Sequence, residues 1–111
     1  MTERISYMTN RISSWLDEGL ANKDAETVLW HRIGKIGEEH GEVIAALIGV
    51  TNGNPRKPHS HTMADVQAEL MDVALAALCA WSHTTGNKGD SLTALRQHAI
   101  RVRDRAGLGR A

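Results

Sequence analysis

The segment from Ala25 to Gly49 reads AETVLWHRIGKIGEEHGEVIAALIG, and its spacing decides the fold class. Val28, Leu29, Ile33, Ile36, Val43, Ile44, Leu47 and Ile48 recur three or four positions apart, the period of an amphipathic helix. Asp24 stands where an N-cap belongs. The run Thr51-Asn52-Gly53-Asn54-Pro55-Arg56-Lys57-Pro58 follows, holds both prolines of the chain, and is its strongest breaker.

Three further helical segments flank this one. The first spans about Glu3 to Glu18, with Ile5, Met8, Ile12, Trp15 and Leu16 as its apolar set, and ends at a weaker break from Gly19 to Asp24. The third spans about Met63 to His83, where Thr62 and Asp65 predict a capping box. Its stretch Ala74 to Trp81 is apolar all round, so part of that surface is expected to meet another subunit. After the breaker Thr85 to Gly89, a fourth helix runs from about Ser91 to Arg105, capped by Asp90 or Ser91, with Leu92, Leu95, Ala99 and Val102. Strand-like alternation is absent. The expectation is a single all-α domain over 1–111, a four-helix bundle completed by oligomerisation, with 106–111 as a flexible tail.

The 111 residues suffice for one small core, and self-association would help bury apolar surface. Thirteen basic residues balance thirteen acidic ones, so no global charge argues for a nucleic acid or membrane partner. The longest apolar runs, Val43 to Val50 and Val73 to Trp81, fall well short of the roughly 20 residues that span a bilayer. Neither a leader-like apolar run nor a disulfide framework is visible, and the expected location is the cytoplasm.

Acidic residues carry the functional signal. Glu39 and Glu42 are three apart on the second helix, and Glu69 and Asp72 are three apart on the third, so each pair projects to one side. Both pairs lie in apolar surroundings, and the third helix has no Lys or Arg from Met63 to His83. Like charges so placed call for protonation, basic partners or a metal. An all-oxygen set suits Mg²⁺ or Mn²⁺, and it lacks the Glu-x-x-His pairs of di-iron bundles. Mg²⁺ held this way keeps positions for water and substrate phosphates, which points to hydrolysis of a phosphoric anhydride.

The sequence Glu38-Glu39-His40-Gly41-Glu42, followed after Val43 to Ala68 by Glu69-Leu70-Met71-Asp72, resembles the MazG-like all-α nucleoside triphosphate pyrophosphatases. The resemblance covers about Val28 to Arg105. It implies hydrolysis of a (d)NTP to its monophosphate and pyrophosphate with Mg²⁺, or Mn²⁺ in its place. It also implies Glu39, Glu42, Glu69 and Asp72 as metal ligands, Glu38 as the residue that orients or deprotonates the attacking water, and a homodimer or homotetramer. Lys35, one turn before Glu39, is a candidate for a substrate phosphate, as are Arg96 and Arg103 on the last helix; Trp30 and Trp15 are candidates to stack a base. The polar loop Asn52 to Lys57 is a further candidate to touch nucleotide.

The six histidines are expected at surface or capping positions, and Cys79 as a buried, inert thiol. Residues 95–111 hold five arginines against Asp104. Such a basic last helix suits a non-catalytic module that binds a protein or nucleic acid, the alternative to an enzyme.

Overall fold

The computed structural model describes residues 4–51, 56 and 59–109, and most of the loop Asn52 to Lys57 lies outside them. Among the described residues the chain is all-helical: α1 (Ile5–Glu18), α2 (Ala25–Thr51), α3 (Met63–Thr84) and α4 (Ser91–Arg105). No helix among them is long and apolar enough to cross a membrane.

Local chemistry sets the helix ends. The Asp24 carboxylate accepts from the Thr27 amide at 2.7 Å, and Asp90 accepts from the Thr93 amide at 3.0 Å. Thr62 and Asp65 form the reciprocal capping box, each side chain accepting from the other's backbone N–H. At the other ends, Gly86 and Gly107 adopt positive φ of 71°. Each lets the next residue turn back and donate to a carbonyl of the last turn, Asn87 to Ser82 and Leu108 to Arg103. The first residues of the expected tail thus close α4.

α2 and α3 make the main packing contact, running antiparallel. Val43, Ala46 and Val66 form their shared core, with Val50 and Val73 against it. α1 packs on α3 and is reached from α2 by the Arg32 side chain, and α4 packs on α1 and α3.

α1 departs from its sequence pattern. Ile5 and Trp15, expected inside, are exposed, while Thr9 and Ser13 are fully buried. With Asp17 these two form a stripe at four-residue spacing, and each position has polar partners. Thr9 Oγ1 and Ser91 Oγ share a hydrogen bond of 2.8 Å. Arg32 of α2, only 5% exposed, donates through Nη1 to the Ser13 carbonyl and Asp17 Oδ1, and through Nη2 to Ser13 Oγ. A buried guanidinium requires acceptors for the donors it hides, and α1 supplies three.

Candidate metal centre

Glu39, Glu69 and Asp72 meet between α2 and α3. One carboxylate oxygen from each lies within 4.8 Å of the others. The three-residue spacing on α3 aims Glu69 and Asp72 to one side, and the antiparallel packing of Val43 against Val66 sets Glu39 opposite them. Glu69 Oε2 is buried and has no hydrogen-bond partner. A buried oxygen of that kind is costly unless something positive faces it. The donor set is all carboxylate, which fits Mg²⁺ or Mn²⁺.

Glu42 stands at the rim, exposed but close to the trio. The negative charge of Glu39 raises its pKa above the ordinary value, helped by a hydrogen bond shared with Glu69.

Lys35 Nζ lies 3.1 Å from Glu39 Oε1 and 3.6 Å from Glu38 Oε2. Its pKa is raised, chiefly by the hydrogen bond to Glu39. Glu38 itself is largely exposed and outside the tight trio. It shares the Glu42 side of α2, and Lys35 ties it to the edge of the site.

The remaining candidates sit elsewhere. Trp30 is nine residues from Glu39, which puts it on the opposite side of α2, and it is 70% exposed. Arg96 is exposed, and Arg103 pairs with its neighbour Asp104. The groove between α3 and α4 is lined by Ala77 and Trp81 on one side and Leu95 and Arg101 on the other. Trp81 is nine residues from Asp72, so α4 packs on the far side of α3 from the carboxylates. Trp15, also exposed, borders a shallow surface hollow with Met8, Arg11 and Ile12. Within one chain, Lys35 is the substrate candidate that joins the carboxylates.

Spacing arguments passed over a cavity of about 140 Å³ beside the trio. Glu39, Asp72 and Lys35 line it with charge, Ile12, Leu16 and Leu75 with apolar surface, and Arg32 and Cys79 form part of its lining. Burial pushes the Cys79 thiol up, against the opposing pull of Arg32, in keeping with an inert group. Arg32 is held in place by Asp17, which also accepts from His83 Nδ1 and Asn87 Nδ2, both at 2.9 Å. Burial alone would raise the Asp17 pKa; the hydrogen bonds from Asn87 and His83 and the charges of His83 and Arg32 outweigh it and lower it. The signal in the sequence was Thr9, Ser13 and Asp17 at four-residue spacing, a polar stripe beside the apolar one of Ile5, Met8, Ile12 and Leu16.

No family model, curated protein or solved structure matches the chain.

Proposed function

We propose that the chain is a Mg²⁺-dependent nucleotide pyrophosphohydrolase of the MazG-like kind, with Mn²⁺ as a substitute ion, converting a (d)NTP to the monophosphate and pyrophosphate. The observation that carries this reading is the convergence of Glu39, Glu69 and Asp72 around a buried, unpartnered Glu69 oxygen. Glu39, Glu69 and Asp72 would hold the ion, with Glu42 beside them. Bound there, the metal supplies positive charge to phosphate oxygens and makes a nearby water more acidic.

The chain's own residues account for the rest. The apolar wall of Ile12, Leu16 and Leu75 gives the nucleoside a dry surface next to the carboxylates. Lys35 is placed to meet a phosphate oxygen, and doing so would loosen its hold on Glu38 and Glu39. Glu38, outside the ligand set, orients the attacking water and accepts its proton. The water oxygen bonds to the α-phosphorus, the bond from that phosphorus to the α–β bridging oxygen breaks, and pyrophosphate leaves. The reading includes a cytoplasmic protein working as a homo-oligomer.

Thermal unfolding with and without divalent metal tests the site. At metal concentrations about 100-fold above Kd, a single site adds about 2.7 kcal/mol, which raises Tm by several degrees. Mg²⁺ or Mn²⁺ is expected to give this rise, and Glu69→Gln to abolish it. An unfolding curve indifferent to both ions removes the basis of the proposal.

A further inference from the structure

Arg32 borders two spaces. It lines the cavity of about 140 Å³ beside the carboxylates, and it lines a wider surface hollow with His31 and Leu20. Leu16 and Lys35 border both as well, so the two spaces adjoin. Arg32 comes seven residues before Glu39, which puts it on the same side of α2 and about 10 Å along the axis, with Lys35 between them. A nucleotide whose α-phosphate meets the carboxylates and whose nucleoside lies on the apolar wall brings its base to Arg32.

A guanidinium carries five N–H donors and no acceptor. Arg32 spends three of them on α1: both on Nη1 go to the Ser13 carbonyl and Asp17 Oδ1, and one on Nη2 goes to Ser13 Oγ. The Nε–H and the second Nη2 N–H have no acceptor among the described residues. Nε and Nη2 share one edge of the planar group. Asp17, 2.7 Å from Nη1, balances the charge of Arg32, and His83 Nδ1 and Asn87 Nδ2 hold Asp17 in turn. With its charge balanced and its tip fixed, Arg32 offers a ligand direction more than charge. Lys35, half exposed, is the group suited to a phosphate. Arg32 is only 5% exposed, so a donor of its own kind placed against it would go unpaired at a cost.

We propose that Arg32 is a specificity-determining residue, donating from its Nε–Nη2 edge to a base that sets a carbonyl oxygen beside a ring-nitrogen acceptor, and that Asp17 is the residue that positions it. Guanine offers O6 beside N7, the pair that arginine takes bidentately, and cytosine offers O2 beside N3. Adenine sets an amino group beside N7, so one donor would face another in a nearly dry space. The inference rests on the reading that a nucleoside occupies this cavity.

Titration of the metal-free chain in EDTA with inosine, cytidine and adenosine tests it, read by NMR at the Arg32 Nε–H. Inosine and adenosine differ only at C6 and N1, so the pair isolates the base edge. Nucleosides carry no phosphate, so the result does not depend on metal or turnover. Inosine and cytidine are expected to bind about ten-fold more tightly than adenosine and to shift the Arg32 Nε–H, as a bidentate contact discriminates by that order. Arg32→Lys keeps a positive charge for Asp17 without the fork, and should bring the three nucleosides within about two-fold of one another. A role confined to packing would weaken all three alike and keep their ratios. Adenosine held as tightly as inosine by the native chain, an unmoved Nε–H with inosine bound, native ratios retained in Arg32→Lys, or no nucleoside bound at all overturns the proposal. Should the variant fail to fold, the two readouts on the native chain decide. A triphosphate panel that yields no product would count against the pyrophosphohydrolase alone, because the nucleoside ratios are measured without hydrolysis.

Discussion

Glu39 of α2 and Asp72 of α3 bring carboxylate oxygens within 4.8 Å of one another, with Glu69 completing the group. Three negative charges at that separation repel in the absence of a cation, and the nearest ammonium, Lys35, pairs with Glu39 alone of the three. Glu69→Gln and Asp72→Asn are therefore expected to leave the metal-free protein as stable as the native one or more so. The same changes should cut metal-dependent hydrolysis by about 100-fold or more, since even outer contacts of a metal site are worth about 10–100-fold. Paired Tm and turnover measurements check both halves. A lower metal-free Tm in both variants would show that these carboxylates are structural.

Arg32 joins three helices through its contacts to Ser13, Asp17 and the cavity wall. Arg32→Ala leaves Asp17, the Ser13 carbonyl and the Ser13 hydroxyl without their main donor. Breaking a buried pair costs about 3–5 kcal/mol, and because Asp17 keeps His83 and Asn87 the lower end is expected. Urea unfolding measures it. A loss under 1 kcal/mol would mean that water replaces the guanidinium at no cost.

The helices and their starts were legible in the sequence because they depend on neighbours. Asp24, Thr62 with Asp65, and Asp90 cap through bonds to amides three residues away, and the apolar spacing of α2 follows from its own pitch. The shared side of Glu69 and Asp72 was legible for the same reason, while the place of Glu39 opposite them and of Glu42 at the rim depends on how α2 packs on α3. α1 was not: Thr9 and Ser13 lie outside its apolar set, and their burial depends on Ser91 and Arg32, partners distant in sequence. Trp30 misled differently, since an aromatic residue near Glu39 in sequence lies half a turn away from it in space.

Thr9 tests the buried hydroxyls. Its Oγ1 meets Ser91 Oγ at 2.8 Å and Ser82 Oγ at 3.4 Å, with no exposure to water. Thr9→Val keeps the shape and strands both serines, at a cost of about 1–3 kcal/mol. Thr9→Ser, which keeps the hydroxyl, is expected to cost less. Equal losses in the two variants would assign the effect to the methyl group.

Asp90 sets an acid limit on stability. Hydrogen bonds from Ser6 and from the Thr93 amide and hydroxyl hold its pKa at about 2, below the ordinary 3.8. A lowered folded-state pKa contributes stability that is full above 3.8 and fades as pH falls through about 2. Asp90→Asn retains a capping oxygen and should flatten the fall in Tm between pH 4 and pH 2. An acid limb as steep in Asp90→Asn as in the native chain would move the effect to other carboxylates.

Product analysis from a panel of NTPs and dNTPs tests the central claim most directly, with Mg²⁺, Mn²⁺ and EDTA compared. The account predicts pyrophosphate and nucleoside monophosphate in equal amounts from at least one nucleotide, present with metal and absent with EDTA. Orthophosphate in place of pyrophosphate, or no metal-dependent product from any nucleotide, would contradict it.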